Sequence, residues 1–296
     1  MKRLVIGNAL APSQFVENVA FSDSMPYYLC RKQFLNDDVV IPHYASSVEI
    51  LICENVSGCL IIDKNQYVLE GNYVFYIPPN TVHSHHLNAG EGEAYVLKLS
   101  PEALRKTVDV ERLLNGTGDC TLYCEPFLSD AFEALRQEID VLERYDGQDL
   151  YCIQSILRIL CLLSPHMKRT AQRQEPISDV NKNKLLKTLI DYSEAHFLEG
   201  LSNRTAAKFI GYNESYFCRW FLRMTGMTYN DYLMHLKINY ACKMLELGIP
   251  VKEIVERLGY TNTSFFIQKF REYVGCTPGA YARSRGMTDM EEEKKK

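Results

Sequence analysis

Ser215-Tyr216-Phe217, followed by Phe221, Gly226, Thr228 and Tyr232, recurs as Ser264-Phe265-Phe266, followed by Phe270, Gly275, Thr277 and Tyr281. These seven positions repeat at an offset of 49 residues. Self-similarity at a fixed spacing marks one supersecondary unit built twice. In the first copy the pattern predicts a short helix over Asn203 to Ile210, a turn at Gly211-Tyr212, Asn213 as N-cap, and a second helix over Glu214 to Met224. Phe217, Phe221 and Met224 share one face at i, i+4 and i+7, leaving Glu214, Ser215, Cys218, Arg219 and Arg223 displayed. In the second copy Val251 to Leu258 supports, Gly259-Tyr260 turns, and Thr263 to Val274 is the second helix. Phe266, Phe270 and Tyr273 point inward there, and Thr263, Ser264, Ile267, Gln268 and Arg271 outward. A long helix over Tyr229 to Leu247 joins the copies.

A helix anchored by one apolar face, with a polar and basic outer face, is built to enter a DNA major groove. One such helix fits an ordinary all-helical core equally well. Two of them, placed to reach adjacent grooves, favour DNA reading.

Gly211-x-Asn-x-Ser-Tyr-Phe-x-Arg-x-Phe221, then Gly259-Tyr-x-x-x-Ser-Phe-Phe-x-x-Lys-Phe270, Gly275-x-Thr-Pro278 and Tyr281, resemble the double helix-turn-helix of the AraC/XylS transcription regulators. The resemblance spans roughly residues 183–285. Asn203 and Ala206 stand where the family usually has larger apolar residues, Val255 where it has Ala, and Gln268 where it often has Arg. The resemblance implies base contacts from Ser215, Cys218 and Arg219, then from Thr263, Ser264, Ile267 and Gln268. Arg219 suits guanine, Gln268 adenine and Ile267 a thymine methyl. Lys208, Lys252 and Lys269 are candidate phosphate contacts, or simply solvated charges.

The chain of 296 residues has a net charge of −4, unevenly spread. Residues 1–181 hold 15 basic and 24 acidic side chains, and residues 182–296 hold 18 and 13. A basic module on an acidic one suits a DNA reader joined to a part that need not touch DNA. Ten cysteines are scattered without a CxxC pair, Cys120 and Cys124 being the nearest, which points to a reducing cytoplasm and away from a zinc ribbon. The apolar run after Met1-Lys-Arg is short and interrupted by Asn8, unlike a signal peptide. No stretch approaches the length of a membrane span.

Upstream, an irregular segment over residues 1–26 precedes several short alternating stretches: Tyr27 to Phe34, Ser47 to Cys53, Gly58 to Asp63, Gln66 to Leu69, Tyr73 to Ile77 and Ala94 to Leu99. Asp63-Lys-Asn-Gln66 and Glu70-Gly-Asn72 supply turn chemistry between them. Many short strands so spaced predict a β-sandwich or barrel. Gly71-Asn-Tyr-Val-Phe-Tyr-Ile-Pro-Pro-Asn-Thr-Val-His83 resembles the cupin-type jelly roll that precedes many AraC-family DNA-binding domains, with Asn72 where Asp is common. A small barrel commonly encloses one ligand pocket, and Tyr28, His43, Tyr44, Glu49, Tyr76 and His83 are its candidate polar groups. His43, Glu49 and His83 also have the residue types of a three-ligand metal site, but the first motif, with His43 and Glu49, lacks the paired HxH, and no metal or cofactor is expected.

A helical pattern runs from Pro126 to Pro165, broken at Gly147, and reads as an antiparallel hairpin. It either covers the barrel or, as the resemblance implies, dimerises. The expected organisation is therefore α+β: a cupin-like jelly-roll barrel over 1–125, a helical hairpin over 126–165, a linker over 166–182, an all-α double helix-turn-helix domain over 183–285, and a disordered tail over 286–296. The expected function is a cytoplasmic, ligand-responsive DNA-binding regulator or activator. Its expected partners are double-stranded DNA, a small effector such as a sugar, a second copy of the chain and RNA polymerase. Two rival readings are a metal-dependent cupin enzyme with an accessory helical domain, and a constitutive DNA binder whose barrel only dimerises.

Overall fold

The structure, a computed structural model, describes residues 4–6, 26–34, 37–63, 65–104, 129–145, 150–164 and 177–284. Most of the N-terminal segment expected to be irregular, the start of the hairpin, Gly147, most of the linker, the tail and the Cys120/Cys124 pair lie outside the described residues, but Leu4–Ile6 within that first segment is a strand paired with Arg31–Gln33. The chain divides into two compact units, the second built around residues 181–296.

The strands form one seven-stranded sheet: β1 (Leu4–Ile6), β2 (Tyr27–Gln33), β3 (Asp38–His43), β4 (Val48–Ile62), β5 (Asn65–Ile77), β6 (His83–Leu87) and β7 (Glu93–Leu99). The ladder order is β1-β2-β7-β4-β6-β3, with β5 on the other edge of β4. Among the described residues no ladder joins β1 to β3, and the sheet is a curled half-barrel, in keeping with the cupin-like α+β organisation expected. β3 was missed from sequence, and it belongs to the sheet because it ladders onto β6.

Two pairs of predicted short strands are in fact two long bent ones. A register shift between Cys53 and Val56, with Asn55 at φ 51°, folds β4 against β5. β7 pairs the first half of β4, and β6 pairs the second half. Glu70-Gly-Asn72 is therefore not a turn. Gly71 lies opposite Val56 across this bulge, and the Asn72 side chain accepts a hydrogen bond from the Asn55 amide at 2.8 Å. Bulges bend strands in this way without ending them.

Strand alternation gives the sheet two apolar faces. One carries Phe34, Leu51, Cys53, Leu60, Ile62 and Phe75. The other carries Ile50, Ile52, Val74, Tyr76, Tyr95 and Leu97, and it is covered by α2 (Ser129–Arg144) and α3 (Leu150–Leu163) through Leu135, Ile139, Leu142, Ile156 and Ile159. A short helix, α1 (Pro101–Leu104), adds Leu104 to that core. Arg136 on α2 bonds Glu54 and Glu93 on the sheet, and the Tyr27 hydroxyl donates to the Leu142 carbonyl. The inward stripe of the hairpin is thus spent on the sheet, the covering role that amphipathicity alone left open.

From residue 177 the described chain is helical: α4 (Ile177–His196), α5 (Asn203–Phe209), α6 (Glu214–Thr225), α7 (Tyr229–Glu246), α8 (Val251–Arg257) and α9 (Thr263–Val274), with a last helical stretch over 278–284. α4 begins eight residues before the expected Leu185, inside the expected linker. Side-chain caps start α5, α6, α7 and α9, while Pro250 starts α8 without one. No described helix is long and apolar enough to cross a membrane.

Candidate functional site

α6 and α9 are positioned by matched devices. The Asn213 side chain accepts from the Tyr216 amide at 2.8 Å, and Asn262 accepts from the Phe265 amide at 3.2 Å. Each satisfies one of the orphan donors of a helix start. Gly226 and Gly275 end the helices in the left-handed conformation, at φ 76° and 84°. Phe217, Phe221, Phe266 and Phe270 are fully buried. Both Phe217 and Phe221 meet the Tyr229 ring edge-on at 5.1 Å, and Phe270 meets Tyr281 at 5.8 Å.

With those faces fixed, the opposite faces reach solvent. Ser215 and Arg219 are exposed on α6, and Thr263, Ser264 and Gln268 on α9. Cys218 and Ile267 are half-buried, flanking the outward stripe, and Tyr273 is half-exposed against His235 instead of buried. Lys208 and Lys252 are exposed, one on each supporting helix. Lys269 is less available, because its ammonium pairs with Glu272 at 2.6 Å, and Gln268 donates to the same carboxylate at 3.1 Å. α7 holds the two motifs apart: its 18 residues extend about 27 Å at 1.5 Å each. Sequence reasoning passed over Tyr216 and Phe265, equivalent aromatics that stay partly exposed beside Tyr212 and Tyr260. Their shared place in the repeat was the available signal.

The second candidate site lies on the sheet face away from the hairpin. Tyr28, Lys98, Glu49 and Ile77 form one cross-strand row through β2, β7, β4 and β5, so their side chains share a face. His43 and His83 join Glu49 there, with ligand atoms of all three within 4.8 Å of one another and all three residues buried. The Lys98 ammonium, 2% exposed, donates to Glu49 Oε1 at 3.1 Å. Burial pulls the Lys98 pKa down to about 7, while the carboxylate beside it favours the charged form. Burial likewise opposes the His83 imidazolium, but the Glu49 carboxylate at 3.4 Å outweighs it and raises the His83 pKa.

Of the six residues proposed for ligand contact, His43, Glu49 and His83 come together, and Tyr28 shares their face. Tyr44 is half-buried just after β3. Tyr76 is a correction. Ile77 is the residue opposite Glu49, so alternation turns Tyr76 to the other face, where it packs in the core under the hairpin. Lys98 was missed, although a lysine within Tyr95-Val-Leu-Lys-Leu99 is out of place in a strand apolar on both faces. A second group was missed as well: Asp38 Oδ2 accepts from Lys32 at 3.1 Å and lies 3.0 Å from His85 Nε2. Burial works against the Lys32 ammonium, yet Asp38 prevails and raises its pKa.

Residues 206–284 match the family model described as a helix-turn-helix domain. Over 238 residues the chain is 24% identical to the uncharacterised HTH-type transcriptional regulator YidL of Escherichia coli K12, covering 77% of this chain and 73% of that one. Over 248 residues it is 24% identical to the HTH-type transcriptional activator RhaS of Escherichia fergusonii, covering 82% and 87%. Among solved structures, ToxT of Vibrio cholerae aligns over 88% of this chain and 98% of that one, at 12% identity and a TM-score of 0.43.

Proposed function

We propose that this chain is a helix-turn-helix transcription regulator of the AraC/XylS type, in which α6 and α9 read two neighbouring major-groove segments of one DNA site under control of a small polar molecule bound on the free face of the sheet. The chain is a DNA-binding regulator and not an enzyme, in line with the regulator names of its relatives. The observation that carries the DNA reading is the pair of asparagine-capped helices, each with a buried phenylalanine face and a largely exposed polar face opposite.

Arg219 is the guanine reader and Gln268 an adenine reader, with Ser215, Cys218, Thr263, Ser264 and Ile267 lining the same two surfaces. Lys208 and Lys252 hold phosphates, and Lys269 joins them when it releases Glu272. The effector contacts His43, Glu49 and His83, with Tyr28 and Tyr44 at the margin, and a sugar or related polyol suits these hydrogen-bonding groups. It acts by binding one arrangement of the chain more tightly than another. The regulator works in the cytoplasm as a homodimer, through the outer face of α2 and α3, where Leu150 and Tyr151 are exposed, and it engages RNA polymerase.

Selection of tight-binding duplexes from a random pool by the full-length protein tests the reading. The expected product is a site with two conserved segments about one helical turn apart. Arg219→Ala should relax the preference in one segment only. A pool that emerges without any shared sequence would sink the proposal.

A further inference from the structure

We infer that Tyr216 and Phe265 each read a thymine, through its C5-methyl group, in the two DNA segments faced by α6 and α9. The inference rests on the DNA reading proposed above. Both side chains are large rings left in water at the same place of the repeat, 41% and 44% exposed. The residues that follow them, Phe217 and Phe266, are fully buried. One exposed aromatic needs no explanation, but the same one in both copies does. Covering such a ring stabilises in proportion to its apolar area, so both rings are suited to a partner outside the chain.

Each ring is held ready. Tyr212 follows the left-handed Gly211, meets Tyr216 edge-on at 4.7 Å and abuts the buried Trp220 at 5.5 Å. Tyr260 follows the left-handed Gly259 and stands 5.9 Å from Phe265 and 5.6 Å from the buried Phe266. A turn tyrosine thus props each exposed ring against the core, and a ring already held loses little rotamer freedom on binding. The asparagine caps bond the amides of these same two residues.

Position on the helix selects the occupant. Tyr216 and Phe265 are each the third residue of their helix, and the N-terminal residues of a recognition helix meet base edges. At about 100° per residue, positions three apart stand roughly 60° apart around the axis. Tyr216 is therefore beside Arg219, and Phe265 beside Gln268, on the same side in both copies. Ile267 is turned about 100° from Gln268 and is half-buried. The surroundings are basic: Arg219 and Arg223 are exposed on α6, Arg271 is exposed on α9, and the Lys269 ammonium lies 6.0 Å from the Phe265 ring centre. Rings set among cations fit a duplex better than an apolar protein surface. The apolar feature of a major-groove edge is the thymine methyl, and the Phe265 side chain has no donor or acceptor with which to read anything else.

The test takes full-length protein and duplexes of its selected site in which each thymine in turn is replaced by deoxyuridine, which lacks only that methyl. One thymine in each segment, at matching places, should be sensitive, its replacement weakening binding about fourfold, the worth of one buried methyl. Phe265→Ala should bind thymine and uracil alike in its own segment and keep the sensitivity of the other. Tyr216→Ala should do the converse, and the conservative Tyr216→Phe and Phe265→Leu should keep both. Circular dichroism checks that these surface variants stay folded. Equal binding of thymine and uracil duplexes by wild-type protein at every position would overturn the inference, as would a sensitivity that survives Phe265→Ala and vanishes in Ile267→Ala. In both cases the protein still holds its selected site, so the regulator reading stands, whereas a pool without a shared sequence marks failure of that reading itself.

Discussion

The two helix-turn-helix copies agree inside and diverge at their edges. Phe217 and Phe266, Phe221 and Phe270, Tyr232 and Tyr281, the two asparagine caps and the two left-handed glycines correspond one to one. The supporting helices do not begin alike. α5 has a reciprocal capping box between Ser202 and Thr205, whereas α8 starts at Pro250 with no side-chain cap. The turns differ by one residue, because the glycines at 211 and 259 are 48 apart and the caps at 213 and 262 are 49 apart. Trp220 is buried in the first copy where the second has half-exposed Lys269. The first copy also leans on α4, through Tyr192 stacked on Phe209 at 3.8 Å and Ser193 bonded to the Tyr229 hydroxyl at 2.7 Å. Duplication has kept what holds a reading helix in place and released what surrounds it.

Core truncation should break the comparison most severely. Phe221→Ala and Phe270→Ala each empty a fully buried site and should cost about 3–5 kcal/mol by denaturant titration. The first copy has more aromatic neighbours, so the two losses should differ, and equal values would argue against a better-braced first copy. Next in size is recognition. Arg219→Ala should lower affinity for the selected site by about 1–3 kcal/mol and relax one segment, while a uniform loss on all DNA would make Arg219 a phosphate contact. Gln268→Ala should lose less, since its amide is already engaged by Glu272. Glu272→Gln should tighten binding and steepen the salt dependence by releasing Lys269.

The caps come next. Asn213→Ala and Asn262→Ala should each destabilise by about 1 kcal/mol, and Ser202→Ala by a similar amount, a loss with no counterpart at Pro250. A separate effect is a pH dependence confined to α4. Burial, then the nearby Asp191 charge, raises the Glu194 pKa from 4.5 to about 7. The folded state therefore holds this proton more tightly than the unfolded state does. That stabilisation is complete below the unfolded pKa and is lost as pH rises towards about 7. Glu194→Gln should flatten the stability profile across that window, and an unchanged profile would place Glu194 in water.

Much of the helical unit was legible because its signals are local. The predicted bounds of α9 match the structure, Asn213 caps as expected, and α5, α6, α7 and α8 differ from expectation by a residue at one end. The sheet was less legible. β4 and β5 were each divided in two because Asn55 and Glu70-Gly-Asn72 carry turn composition, although opposite one another they form a bulge. β3, with Pro42 next to its last residue, gave no strand signal and owes its place to β6.

What the amino acids settled by themselves was the repeat, the inward phenylalanines and the caps, since helix periodicity and capping depend on neighbours within a few residues. Only the tertiary structure decided that Tyr76 faces the hairpin, that Lys98 shares Glu49, and that His43, 40 residues before His83, stands beside it. Those facts follow from strand register, which brings distant residues together and which a one-residue slip would reverse.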